Sequence, residues 1–464
     1  MIYNLKYLNF DKAPLILSLI VPFLITGPFF PDLIVSVSSM FFLYYVFKKK
    51  DFYFFSNIPI ITFFIFCIYC VSVSIFVAED LMLSFESSLF YFRAGVFCCL
   101  IWYLIDKNKN ILTYFYYALI LSFLILISDG FFQYITGQNI LGFTTGDHYR
   151  ISSFFGDELV MGSFLSRLLP LLYALYLVKT KKKFENYLII PIIILVHISI
   201  FISGERSSFL FLILSSFFII FLLKGYNLIK LTLLVTSIIL IFLITYNSPK
   251  LSKRMFVVPV LEMGILNDNM RTNEYLKSSK DYGKINQEQK NQTLEKIDQN
   301  QNQQNLVKSS KLIIFSPAHD SLIRTAYNMF EDEPFFGHGP KMFRVMCKDK
   351  KYAEGKSPCM THPHNFYVQL LAETGIIGFL FLFSSLLYVF FAALRQLKTI
   401  ILSQKRFLTN YQVCLLAGIF ISVWPISPNG NFFNNWLLIV YSLPVGFYLQ
   451  SIYSKKKPIE ETKI

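Results

Sequence analysis

Apolar residues in this chain come in long, nearly uninterrupted runs, each closed by a short polar or charged stretch. The runs fall near 14–30, 57–77, 88–105, 111–128, 158–178, 187–203, 207–223, 229–246, 376–394, 410–426 and 433–452, with one more ending at Phe47. Each has about the length of helix that crosses a bilayer, 17–25 residues. The pattern predicts about twelve spanning helices. It also divides the chain into three parts: a bundle of about nine spans over 1–246, a large polar loop over 247–363, and a helix with the last three spans over 364–464.

The large loop is itself uneven. Residues 267–310 are poor in apolar side chains and rich in Asn, Gln and Lys, the composition of a mobile insertion without a packed core. Ser321–Met346 differs, because Ile323, Tyr327 and Phe330 recur at helical spacing before Pro334 and Gly337-His338-Gly339 break the pattern. An ordered helix is predicted there, lying against the membrane surface.

Composition sharpens the class. Of 464 residues, 54% are hydrophobic and only 16% charged, which excludes a soluble core and leaves an all-α, polytopic membrane protein. No small-residue cleavage site follows the first apolar run, so the N-terminus does not read as a cleavable signal. A net charge of +14 could suggest a nucleic-acid partner, but the lysines sit at span ends. Alternating the spans places Lys48–Lys50, Lys107, Lys109, Lys179–Lys183, Lys224, Lys230, Lys398–Arg406 and Lys455–Lys457 on one side, the cytoplasmic one. Both termini are then cytoplasmic and the large loop is external. Five of the seven cysteines lie in apolar runs and read as small core residues. Cys347 and Cys359 lie in the large loop, where an extracytoplasmic setting would allow a disulfide between them.

Candidate chemistry gathers on the predicted external face. The stretch Thr361-His-Pro-His-Asn365 carries two of the six histidines where polar sequence returns to apolar. If Pro363 opens a helix, His362, Asn365, Gln369 and Glu373 form a polar stripe along it, and Gly375 reads as its C-cap. Arg150, Arg206 and Arg324 belong to the same side, with Arg206 held in a tight turn between two spans. Each could simply reach lipid phosphates. Together they suit a phosphate-bearing ligand, because guanidinium keeps its charge and binds phosphate oxygens in pairs. His364 near a helix N-terminus would favour the neutral imidazole, which can take a proton from a hydroxyl; a hydrogen-bonded interface histidine is the plainer alternative. Arg93 reads as a partner of Glu86 or Glu79, and Arg167, inside the sixth run, as a structural residue facing the bundle interior in an ion pair or hydrogen bond. His338 reads as a turn residue. No glycine-rich phosphate loop, GxSxG turn or HExxH is present.

Four stretches, in this order, resemble the O-antigen ligase and O-antigen polymerase superfamily of bacterial envelope proteins. They are Asp129-Gly-Phe-Phe-Gln133 with Gly137-Gln-Asn139 and Gly142, and Arg150-Ile-Ser-Ser-Phe-Phe-Gly156. Ser203-Gly-Glu-Arg-Ser-Ser208 follows, and last Ala326 to Pro340 with His364-Asn365 to Gly378. The resemblance implies a GT-C-like, metal-independent inverting glycosyltransferase that needs no cofactor. It implies a polyprenyl-diphosphate-linked glycan (undecaprenyl diphosphate the expected carrier) as donor, in the bacterial inner membrane. Arg150 and Arg206, with Arg324 as a weaker candidate, would hold the diphosphate. His364 would orient or deprotonate the acceptor hydroxyl, supported by His362, Asn365 and Glu373. A ligase with a lipid A–core acceptor is the leading expectation, a repeat-unit polymerase the alternative. From another class, a lipid-linked glycan flippase would instead predict internal repeats and midplane charges.

Overall fold

The computed structural model describes residues 12–145, 150–179, 183–262, 315–456, 459 and 461. The insertion predicted over 267–310 lies outside these residues. Among the described residues every named element is helical. In order they are α1 (Ala13–Phe23), α2 (Phe29–Lys49), α3 (Ile58–Phe76), α4 (Leu81–Leu89), α5 (Arg93–Lys107), α6 (Asn110–Thr136), α7 (Met161–Val178), α8 (Lys183–Ile202), α9 (Arg206–Leu222) and α10 (Asn227–Asn247). After short turns over 249–262 come α11 (Pro317–Asp332), α12 (Phe343–Met346), α13 (Phe366–Ile401), α14 (Asn410–Ser422) and α15 (Asn435–Tyr453).

Eight helical segments are long and apolar enough to cross a membrane, with α4 and α5 together forming one of them. Four shorter apolar helices, Ala13–Phe23, Leu188–Ile202, Arg206–Leu222 and Asn410–Ser422, occupy the other positions where the hydropathy predicts spans. This is a multi-pass helical membrane protein. Large apolar side chains cover its outside, with Phe76 84% and Tyr246 78% exposed, an arrangement only lipid accommodates.

Local sequence sets the helix starts. Asn57, Asp80, Ser316, Thr409 and Asn434 each cap a helix by accepting a backbone N–H, and Thr409 and Gln412 complete a reciprocal capping box. Inside, α5 lies along α15 and α7 along α14, around the fully buried Trp102, Phe115, Phe164 and Phe447. Because lipid is as apolar as these side chains, close packing and polar contacts hold the helices together. The Ser74, Ser84 and Ser88 hydroxyls meet at 2.8 Å between α3 and α4. His197 joins α8 to Tyr173 of α7 at 3.0 Å and to Ser237 of α10 at 2.8 Å.

The two ends of the bundle differ. At one end, connections with basic residues are tied together: Asn410 exchanges hydrogen bonds with the Lys224 backbone, Gln396 donates to Leu222 and Leu408, and Gln450 donates to Asp106. At the other end sit the 150–160 segment, the 203–206 turn and the histidine stretch.

Three local expectations need correction. Helix α13 begins at Phe366, not at Pro363, because His364 takes a left-handed conformation (φ 57°) that no helix turn contains, and Asn365 is the cap. Helix α11 begins at Pro317, four residues before the predicted start, behind the Ser316 cap. Arg93 pairs with Asp32 at 3.1 Å and not with Glu86 or Glu79, because α2 packs against α5 and brings Asp32 alongside.

Candidate active site

The 203–206 turn is the best-built part of this end. Gly204 (φ 68°) reverses the chain between α8 and α9, and Glu205 follows as the residue before α9. Its buried carboxylate accepts from Gly162 N at 2.6 Å, Ser163 N at 3.0 Å and Ser208 Oγ at 2.7 Å. Glu205 thus caps the positive N-terminus of α7 from a neighbouring turn. Position 162 must be glycine, since a Cβ there would overlap Ser203 Oγ. Burial still pushes the Glu205 carboxyl up, against the lowering by Arg150 and by these hydrogen bonds. Arg206 opens α9 beside it.

Arg150 reaches the same place at the head of the 150–155 segment, which is fixed by polar side chains of α6 and by Asn139. Gln133 Oε1 accepts from Ser152 N and Ser153 N at 3.1 and 2.8 Å; Ser153 Oγ donates to Asp129 at 2.6 Å; Asn139 Nδ2 donates to Ser153 O at 2.9 Å. These are the residues of the first two motifs, and their bonds aim Arg150 inward. Arg150 Nη2 donates to Leu159 O at 2.7 Å, while its Nε is buried with no partner. Burial lowers its pKa, Glu205 raises it and Arg206 lowers it.

Between these walls lies a cavity of about 1090 Å³. Arg150, Arg167, Arg206, Arg254 and Arg344 line it, with His319, His362 and His364. Arg167 forms part of the floor, its guanidinium 4.4 Å and 4.9 Å from the ring centroids of Phe211 and Tyr441. Its Nη2 donates to Asn429 Oδ1 at 2.9 Å, and Asn429 N in turn donates to His364 O at 2.7 Å. Asn429 therefore couples the buried arginine to the left-handed turn that presents His364. A non-glycine residue at positive φ costs about 1–3 kcal/mol and is kept where the surroundings hold it.

The three histidines cluster. The His362 and His364 rings are 4.1 Å apart and the His319 and His364 rings 5.2 Å. His362 Nδ1 contacts Thr361 Oγ1 at 2.9 Å and His319 Nδ1 contacts Ser316 Oγ at 2.7 Å, whereas His362 Nε2 is buried without a partner. Burial lowers the pKa of His364, against a raising contribution from Asn429. It lowers that of His362 to about 3, with help from the neighbouring His364. Both rings are neutral at neutral pH.

The wall behind the histidines is a lock between two motifs. Helix α13 breaks at Gly375 (φ 62°, ψ −165°), and the Pro334–Gly339 turn docks into the break. His338 N and Gly339 N donate to Ala372 O and Glu373 O at 3.0 and 2.8 Å, and Ile376 N donates to Pro334 O at 2.9 Å. His338 is a buried turn residue, its Nε2 2.9 Å from Met329 O. Glu373, fully buried, accepts from Phe343 N at 3.1 Å and Gln369 Nε2 at 2.9 Å. Asn365 caps α13 and donates to Pro425 O at 2.8 Å. Asn365 and Glu373 thus hold the walls and do not line the cavity, whereas His362 does. Cys347 and Cys359 are bonded, with Cα atoms 5.0 Å apart.

Arg324 is not brought to the cavity. Half-exposed on α11, it pairs with Asp320 at 2.7 Å and Glu354 at 3.1 Å, because the helical phase that turns His319 inward turns Arg324 away. Sequence reasoning missed His319, Arg254 and Arg344; Arg167, expected to pair or hydrogen-bond inside the bundle, bonds Asn429 there and also lines the cavity. Nothing in the local pattern of Ser316-Pro-Ala-His319 distinguishes it from a helix start.

Residues 190–383 match the family model described as O-antigen ligase. Over that stretch the chain is similar to the O-antigen ligase family. The match runs from α8 into α13 and includes Arg206, His319, Arg344 and His364; Arg150 and Arg167 precede it. Part of the cavity therefore comes from helices outside the matched region. No curated protein matches the chain.

Proposed function

We propose that the protein transfers a glycan from a polyprenyl diphosphate carrier to a hydroxyl acceptor, as an O-antigen ligase acting on lipid A–core. The observation that carries this is the meeting of the arginine turn and the neutral His364 across one cavity. Arg150 and Arg206 would bind the donor diphosphate, with Arg254, whose Nε donates to Gly204 O at 2.8 Å, bracing the turn. Guanidinium groups suit this task because charge builds on the diphosphate as its bond to the sugar lengthens.

His364 would accept the proton of the acceptor hydroxyl as its oxygen attacks the anomeric carbon from the face opposite the diphosphate. The new C–O bond forms as the old one breaks, the electron pair leaves with the polyprenyl diphosphate, and the configuration inverts. His362 and His319 keep the ring in place. In this reading the arginines supply the positive charge and no metal is required, in a GT-C-type bundle of about twelve spans. The site faces the periplasm from the inner membrane, with both termini cytoplasmic.

The test is His364→Ala and Arg206→Ala in cells, with surface polysaccharide resolved on a gel. Loss of attached glycan with long unattached chains remaining is the expected result. Single-repeat products would favour a polymerase. Wild-type attachment in both variants would remove the assignment.

A further inference from the structure

Among the described residues, the cavity carries more positive charge than a diphosphate uses. Five arginines face two carboxylates, Glu158 and Glu205, and Glu158 is exposed. The arginines are also divided. Arg150, Arg206 and Arg254 gather round the 203–206 turn, Arg254 through its bond to Gly204 O. Arg344 belongs to the histidine wall. Its helical turn α12 is anchored at one end by Phe343 N on Glu373, and at the other by the Cys347–Cys359 disulfide. That cross-link leads directly into the segment bearing His362 and His364.

Arg344 is also unspent. It makes no hydrogen bond or ion pair with any described residue, and its Nε is buried without a partner. Glu373, the carboxylate within electrostatic range, uses its oxygens on Phe343 N and Gln369 Nε2 instead. A buried guanidinium N–H without an acceptor is costly unless a ligand supplies one. In the transfer reading the donor diphosphate takes the arginine turn, and the space before His364 takes the acceptor.

We propose that Arg344 recognises an anionic substituent, phosphate or carboxylate, on the acceptor glycan beside the hydroxyl presented to His364. This rests on the transfer reading above. It makes the acceptor class acidic and makes Arg344 a specificity-determining residue, separate from the donor clamp.

The test uses the purified full chain in nanodiscs with two acceptors, lipid A–core carrying its core phosphates and the same material dephosphorylated. Wild type is expected to prefer the phosphorylated acceptor about 10-fold in kcat/KM, through KM, the scale of one charge-assisted contact. Arg344→Gln erases the preference by raising that KM, with the donor KM unmoved, and Arg344→Lys restores part of it. Equal losses on both acceptors, a raised donor KM, or no preference in wild type would overturn the proposal. A second readout is independent of turnover: binding of glucose 6-phosphate against glucose, with the arginine turn saturated by inorganic pyrophosphate. Arg344-dependent preference for the sugar phosphate without transfer to either acceptor sinks the ligase reading and leaves the anion site standing. Absence of that preference sinks the anion site.

Discussion

At the scale of residues, the proposed transfer rests on a neutral imidazole facing fixed cations. His364 must be unprotonated to accept a proton, and burial holds its pKa below the ordinary 6.5. Lowering the pH protonates it only below that value. Transfer should therefore hold level from pH 8 to about 6.5 and fall only in more acid solution, measured as kcat/KM against pH. His364→Ala should lower the rate by about 10²–10⁴-fold and abolish the acid limb. An unchanged limb in that variant would assign it to another group. The arginines should separate in the same assay. Arg206→Gln should cost about 10²-fold or more, as loss of a charge-stabilising donor does. Arg324→Gln should stay within about twofold, since an exposed ion pair outside the cavity is worth about 0–1 kcal/mol. Arg206 and His364 are legible in the sequence as candidates on one face, since each borders an apolar run, although a lipid contact or an interface hydrogen bond explains each equally well there. Arg344 and His319 are not, because only the folding of α11 and α12 onto the histidine segment decides which loop residues face inward.

At the scale of elements, the decisive contact is the Pro334–Gly339 turn seated in the break of α13. Gly375 stands at positive φ, and a Cβ would overlap the Phe335 carbonyl. Gly375→Ala should therefore destabilise by more than about 1 kcal/mol and release the histidine wall, read as a lower Tm with loss of transfer. Gly337 answers it from the other side, where a Cβ would press on the Thr374–Gly375 backbone. Cys347→Ser with Cys359→Ser opens a loop with a sequence separation of 12, worth about 3 kcal/mol by chain entropy. The paired variant should lower Tm and gain acceptor KM while donor binding is kept. The polar stripe of α13 was visible from sequence, but not its purpose. Gln369 and Glu373 point into protein to hold backbone N–H groups, a role periodicity alone does not separate from lining a site.

At the scale of the molecule, hydropathy located the eight segments that, among the described residues, are long and apolar enough to cross a membrane, because length and apolarity are one-dimensional properties. It could not give the packing of α7, α9 and α15, whose Ser163, Arg167, Phe211 and Leu437 line the cavity. Single cysteines introduced at position 207 and at position 403 should label from opposite sides of the membrane; labelling from one side would contradict the alternation of spans. The central claim is that a donor held by arginines is discharged by a hydroxyl activated at His364. The most direct measurement is glycan transfer and donor binding in one reconstituted preparation of wild type, Arg206→Gln and His364→Ala. Donor binding should survive in His364→Ala and fail in Arg206→Gln, with transfer lost in both. Transfer at the wild-type rate in His364→Ala, or undiminished donor binding in Arg206→Gln, would contradict it.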